Sequence, residues 1–396
     1  MHSDLEIQKS RSRGNGMVNT IFVTGATGNI GGKIVTRILR EDSSTRLVLL
    51  VRGNSSVEAQ QRVGSVLKTL SPEINLPQVR SRLTVICGDI TLNGLGLAES
   101  IFHGLASKVT HIIHAAATTQ FQLTLECAHL VNCIGTKNVM AFARKAHEAG
   151  NLQRVAHIST AYVCGKKEGI IYEDEIDRRP QFSNTYQETK WEAEQLVRNL
   201  MPDLPLTIFR PSIVVGDSQT GRTIAFNVLY TPLKWIYRGL LGALPCSPDI
   251  PLDVVPVDFV SDAIYHIFLE TEECIGKTYH ITAGSDKSTT VGEIVDRALE
   301  YFKRIAVEER PPQIEFLSPT SYDAVFPLLP SKVRKGLQLL RVYEPYICTT
   351  RLFDNARAIK ALQDTNISVP MLSTYFDNIL AYSFLTDWGR QMEEAA

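Results

Sequence analysis

The sequence predicts an α/β protein: a doubly wound parallel Rossmann sheet with an interleaved, smaller C-terminal lobe. Three observations carry this. From residue 20 onward short β-branched runs alternate with helical patterns. The runs are almost continuously apolar, as strands covered on both faces must be. The first of them leads into a glycine-rich loop followed by a helix. In order, the segments 20–24 (TIFVT), 47–52 (LVLLVR), 83–87 (LTVIC), 111–114 (HIIH), 155–159 (VAHIS) and 206–209 (LTIF) read as buried strands. Helix candidates such as 31–40 and 132–149 lie between them, so successive strands are joined by right-handed crossovers.

After Pro211 the rhythm changes. Residues 216–250 read as helical and proline-bounded; 251–282 return to strand-like text, 252–257 and 278–282, around a helix at 260–271. Residues 283–396 are mixed, with Pro311, Pro312, Pro319, Pro327 and Pro330 marking loops. The expected division is a mobile leader at 1–19, a dinucleotide-binding domain at 20–215 with a return segment near 251–282, and a substrate-binding lobe from 216–250 and 283–396.

Composition narrows the function. Of 396 residues, 44% are hydrophobic and 21% charged, which is ordinary globular content. Forty-one Lys and Arg face 42 Asp and Glu, a net charge of −1, so no strong field recruits nucleic acid. The seven cysteines are odd in number and form no Cys-x-x-Cys pair. Reduced thiols in a cytoplasmic protein fit better than a disulfide framework or a zinc site, and no metal is expected. The leader lacks the apolar stretch of a signal peptide. No segment reaches about 18 uninterrupted apolar residues, so no membrane span is expected; the nearest, 226–241, is broken by Lys234 and Arg238.

The strongest local signal is Thr24-Gly25-Ala26-Thr27-Gly28-Asn29-Ile30-Gly31. Glycines at 25, 28 and 31 let the backbone approach a pyrophosphate, and the following helix aims its free N–H groups at that anion. Thr27, Asn29 and Ile30 belong to the same turn. A carboxylate about 20 residues on would select NAD through the ribose 2′-hydroxyl. From 43 to 57 there is no Asp or Glu; Arg52 stands there instead, followed by Ser55 and Ser56. A guanidinium suits a 2′-phosphate, so the expected cofactor is NADPH. Gly88-Asp89-Ile90 ends the third strand and could meet the adenine edge with a carboxylate and a backbone N–H.

Tyr186-Gln187-Glu188-Thr189-Lys190 is a Tyr-x-x-x-Lys pair, whose side chains share one helix face. There an ammonium can lower the phenol's pKa and prepare it for proton exchange with a substrate oxygen. The chain holds two more such pairs, Tyr162–Lys166 and Tyr230–Lys234. Gly165 interrupts the first and Pro232 the second; only Tyr186–Lys190 opens a long helical run, 185–200, between two sheet strands. It follows a polar strand end, Ser159-Thr160-Ala161-Tyr162, which could supply a hydroxyl to the same oxygen.

With these residues on the page, the chain resembles the extended short-chain dehydrogenase/reductases, and within them the thioester reductase and fatty acyl-CoA reductase branch. The phrases VTGATGNIGG, LLVRG, IIHAAATTQF, NCIGTKNV, HISTAYVCG, NTYQETKWEAE, LTIFRPSIVVGDSQTGRT and VPVDFVSDAI, from about 20 to 265, carry the resemblance. It implies Thr160, Tyr186 and Lys190 as the catalytic set, with Ala115, Ala116 and Ala117 and Pro211, Ser212 and Ile213 lining the nicotinamide half. Ser159 would lie beside them and Asn132 near the triad. It also implies hydride transfer to an acyl thioester, bound to CoA or an acyl carrier protein, giving an aldehyde or, after a second round, an alcohol. Asn29 replaces the large apolar residue usual in that branch's glycine loop. Any carrier must come from elsewhere, because no carrier motif is recognisable.

Two other functions compete: a reductase of the same kind acting on a ketone, alcohol or nucleotide sugar, and a non-catalytic NADP sensor. Retention of both Tyr186 and Lys190 counts against the sensor. The apolar spacing of Phe226, Leu229, Tyr230, Leu233, Ile236, Tyr237, Leu240 and Leu241 suits either an acyl-binding lid or lobe packing. Cys164 has no positioned base in sequence, His111 and His114 lack a third metal ligand, and Asp258 reads equally as a helix cap or a substrate contact.

Overall fold

Seven strands form one all-parallel sheet: β1 (Thr20–Thr24), β2 (Arg46–Val51), β3 (Leu83–Cys87), β4 (His111–His114), β5 (Arg154–Ile158), β6 (Leu206–Pro211) and β7 (Thr278–Ile281). The computed structural model describes residues 18–178, 180–226, 228–305, 313–318 and 341–393, with isolated positions between 323 and 338. The leader up to residue 17 and Pro311, Pro312, Pro319 and Pro330 lie outside the described residues. The sheet order is β7-β6-β5-β4-β1-β2-β3. The order reverses between β1 and β4, the crevice where doubly wound sheets bind ligands.

The continuous apolar runs have a simple cause. Ile21 and Val23 of β1, with Leu47, Leu49 and Val51 of β2, enter the core on one face. Phe22, Val48 and Leu50 enter the other. Each strand alternates sides and buries both. The first face is covered by α1 (Asn29–Glu41) and α2 (Ser56–Leu70). The second is covered by α3 (Glu99–Ala106) and by one continuous helix made of α4 (Leu125–His129), a π turn (Leu130–Ile134) and α5 (Gly135–Glu148). It is completed by α6 (Thr185–Leu200).

The lobe has its own core, around α7 (Tyr230–Tyr237), α9 (Val291–Ile305) and α11 (Phe376–Leu385). Two elements between these return to the sheet: α8 (Val257–Tyr265) packs on the α1 face, and so do Ala358 and Leu362 of α10 (Ala356–Leu362). The chain therefore crosses between the two cores repeatedly. Within 216–250 the helix is shorter than expected and covers α7 alone. Pro232 falls in its first turn, where the missing N–H costs no intrahelical bond. The helix expected at 260–271 begins at Val257 and ends in a second π turn, His266–Glu270.

Candidate active site

All the strand-end residues singled out in the sequence lie along the C-terminal edge of the sheet. Gly25 follows β1, Arg52 follows β2, Asp89 follows β3, Ala115 follows β4, Ser159 follows β5 and Ser212 follows β6. A cavity of about 250 Å³ opens there, lined by Gly28, Asn29, Ile30, Gly31, Ala115, Ala117, Ser159, Thr160, Tyr186, Pro211, Ser212 and Ile213.

The glycine loop is shaped by backbone contact. Gly25 has φ +76°, and a Cβ there would stand 2.5 Å from the Ala115 carbonyl carbon and the Ala116 nitrogen. A Cβ on Gly31 would collide with the Gly25 carbonyl oxygen. The turn closes through Gly28 N–H to Gly25 O at 2.9 Å. The helix behind it starts without a side-chain cap, so its first-turn N–H groups face the cavity with no intrahelical partner. This uncapped, glycine-lined end is a cradle of the kind a pyrophosphate fills.

Thr160 and Lys190 are buried, and Tyr186 is half-buried where it lines the cavity. Asn184 caps α6 by accepting from Gln187 N–H at 2.9 Å, which sets Tyr186 in the first turn of the helix. The Thr160 hydroxyl donates to the Pro211 carbonyl at 3.4 Å and shares the cavity wall with the Tyr186 phenol. Burial pushes that phenol up to about 12, and the Thr160 contact only partly offsets this. The expected lowering by Lys190 is not found: burial raises the phenol and only the Thr160 hydroxyl opposes it. Burial instead brings Lys190 down to about 8, while Glu194 and Cys133 pull it back up. Its ammonium donates to the Ile158 carbonyl at 2.8 Å.

Behind the site lies a buried ionic cluster that sequence reading missed. Glu194 sits one turn past Lys190 and accepts from Ser159 Oγ at 2.6 Å, from Arg198 Nε at 2.8 Å and from Arg210 at 2.6 Å. Neither Glu194 nor Arg210 is exposed. Arg210 holds the Glu194 carboxyl down at about 2 despite burial. Asp253 similarly ties Ser212 Oγ to the N–H groups of Ala283 and Gly284; burial raises it to about 6.

The remaining sequence-selected residues stand farther out. Arg52 is exposed, and its carbonyl accepts from the guanidinium of Arg62, so α2 brings a second cation to that corner. Asp89 accepts from Thr91 N and Oγ1, both at 2.8 Å, and Ile90 is buried against Gly135. Thr27 borders a separate opening. Asn132 does not line the cavity: its amide holds Thr118 N at 2.8 Å and Thr189 Oγ1 at 2.9 Å. Asn29 Oδ1 accepts from Thr223 Oγ1 at 3.2 Å and Ile224 N at 3.3 Å, fastening the lobe to the glycine loop.

The outer half of the cavity is aromatic. Phe121 stacks on Tyr346 with centroids 5.2 Å apart, Tyr162 meets Tyr346 at 4.8 Å, and Phe121 meets Tyr186 at 5.6 Å. Val228 and Ala225 complete the wall. Most of the segment 226–241 packs in the lobe core. Cys164 is buried with its thiol pushed up, His111 and His114 are buried and lowered to about 4 and 3, and Asp258 accepts from Ser218.

Residues 23–264 match the family model described as male sterility protein. Aldehyde reductase lnaA of Aspergillus flavus is 25% identical over 342 residues, covering 82% of this chain and 32% of that protein. Fatty acyl-CoA reductase wat of Drosophila melanogaster is 28% identical over 276 residues, covering 62% of this chain and 53% of that protein. The chain thus spans about a third and about half of these two relatives. Among solved structures, the terminal R domain from the myxalamid PKS-NRPS biosynthetic pathway matches with TM-score 0.81 and 26% identity, over 95% of this chain and 92% of that one.

Proposed function

The chain belongs to the male sterility protein family, and from that premise we propose that it is an NADPH-dependent reductase of acyl thioesters. Its fold is the extended short-chain dehydrogenase/reductase form of the Rossmann sheet, and its domain is of the nicotinamide-dinucleotide-binding kind. One observation carries the reading: the Thr160–Tyr186 hydroxyl pair opens into a cavity whose inner end is a glycine cradle and whose outer end is aromatic.

NADPH, when bound, supplies the hydride. The pyrophosphate would lie on Gly25, Thr27, Gly28, Asn29, Ile30 and Gly31, and the 2′-phosphate near Arg52. Asp89 and Ile90 would flank the adenine. Ala115, Ala116 and Ala117, Ser159, Pro211, Ser212 and Ile213 would border the nicotinamide, and Asn132 would hold the neighbouring loop. At the thioester, Thr160 and Tyr186 donate to the carbonyl oxygen as it gains charge; pre-aimed donors of this kind contribute about 3–4 kcal/mol each. A phenol at about 12 is neutral at pH 7 and has a proton to give. Tyr186 passes it to that oxygen, and Lys190 supports the phenol. Cleavage of the carbon–sulfur bond then releases thiol and aldehyde.

The relatives' names support a thioester: one is a fatty acyl-CoA reductase and one structural match is the terminal R domain of a PKS-NRPS pathway. The acyl group would be carried by CoA or by a carrier protein. Seven cysteines without a disulfide partner support action in the cytoplasm; among the described residues no helix is long and apolar enough to cross a membrane. The test is product identification after incubating the protein with NADPH and an acyl-CoA panel: aldehyde is expected. Tyr186→Phe should lower turnover about 10²- to 10⁴-fold; full activity in that variant would refute the assignment.

A further inference from the structure

A second cluster of chemically able side chains lies where α4 and the π turn meet α6. His129 closes α4, Cys133 sits in the π turn, and Glu192 comes from α6, two residues past Lys190. Their donor atoms all lie within 4.8 Å of one another. His129 Nε2 is 3.5 Å from Glu192 Oε2, and Cys133 Sγ is 3.3 Å from the same oxygen. Tetrahedral zinc with bonds of about 2.0–2.1 Å to nitrogen and oxygen and about 2.3 Å to sulfur has ligand–ligand edges of about 3.3–3.6 Å. The two edges that share Glu192 Oε2 fall at those values, and the third, from His129 to Cys133, is no longer than 4.8 Å.

We propose that His129, Cys133 and Glu192 form a zinc site, with water as the fourth ligand. The donor set is imidazole, thiolate and carboxylate, which suits Zn²⁺ better than hard cations such as Mg²⁺ or Ca²⁺. Charge also balances: the thiol gives up its proton to solvent, and one thiolate plus one carboxylate neutralise the dication. A neutral cluster adds no repulsion against the nearby Lys190 ammonium. Access is open, because the His129 and Glu192 side chains are 44% and 38% exposed while Cys133 is buried beneath them. An ion here would clamp the π turn, which carries Asn132, to the helix that carries Tyr186 and Lys190. Such π turns recur at functional sites. The inference uses only these three residues and stands apart from the substrate reading.

The experiment uses the full chain, reduced with a phosphine and free of chelator, titrated with Co²⁺ as a spectroscopic stand-in and then with Zn²⁺. A thiolate-to-cobalt charge-transfer band should saturate at one equivalent and vanish on adding Zn²⁺. Cys133→Ser should abolish the band, whereas Cys127→Ser, at an exposed cysteine six residues earlier, should leave it. His129→Gln and Glu192→Gln, at half-exposed positions where folding is not at stake, should each weaken binding at least ten-fold. A hundred-fold excess of Zn²⁺ over its Kd should raise Tm by about 3 °C. No cobalt–thiolate band, a band that follows Cys127 instead, or unchanged affinity in both surface variants would overturn the site. Because the readout is binding, it stays informative whatever the protein reduces.

Discussion

Lys190 and Tyr186 titrate in opposite senses, and that sets a pH dependence. Burial lowers the amine to about 8 and raises the phenol to about 12. The ammonium is therefore present below about pH 8 and lost as pH rises through it, while the phenol keeps its proton. Turnover should fall on the alkaline side with an apparent pKa near 8, and Lys190→Met should remove that limb along with most of the rate; a pH–rate profile checks both. Arg52 gives a second prediction at the same scale. Arg52→Ala should raise KM for NADPH about ten-fold or more and leave KM for NADH nearly unchanged, because only the former offers a 2′-phosphate. Steady-state kinetics with each cofactor decides it. Arg52 stands out in the sequence because a missing carboxylate at a fixed distance from Gly31 is a local pattern, and what the structure adds is its place at the exposed end of β2. Arg62 was not, since nothing in the sequence brings its guanidinium to the carbonyl of Arg52.

Among the elements, α6 is the best determined from sequence: its expected span, 185–200, coincides with the helix found. Its inner face is another matter. Glu194 continues the Tyr186, Lys190 stripe by one turn, yet its role depends on Arg210, sixteen positions on in a different element. Glu194→Gln leaves Arg210 with a buried, uncompensated charge and should cost about 3–5 kcal/mol of stability by denaturant unfolding. The sign with pH follows. The Glu194 carboxyl is held at about 2, below its ordinary value of 4.5, so its contribution is complete above about pH 4.5 and drains away as pH falls toward 2. The variant should lack that acid-side decline. Glu173, raised by burial to about 7, acts oppositely: the folded state holds an extra proton between about 4.5 and 7, so stability there declines as pH rises. The zinc cluster escaped the cysteine argument for a comparable reason: spacing rules find ligands within one segment, and these come from two helices.

For the molecule as a whole, the strands of the central sheet were readable because each announces itself locally as an apolar run, whereas the lobe is assembled from distant pieces. Tyr346 comes from a four-residue helix, Glu344–Ile347, with no sequence signal, yet it stacks on Phe121 and closes the aromatic end of the cavity. Tyr346→Ala should extend that end, shifting the preferred acyl-CoA by several carbons toward longer chains; competition between short and long thioesters measures it. The tie at Asn29 has a practical corollary. Because its side chain grips the segment at 223–224, the lobe is not an interchangeable cartridge. A chimera that imports a foreign lobe onto this sheet would have to import residue 29 as well, or accept a loose seam beside the nucleotide cradle.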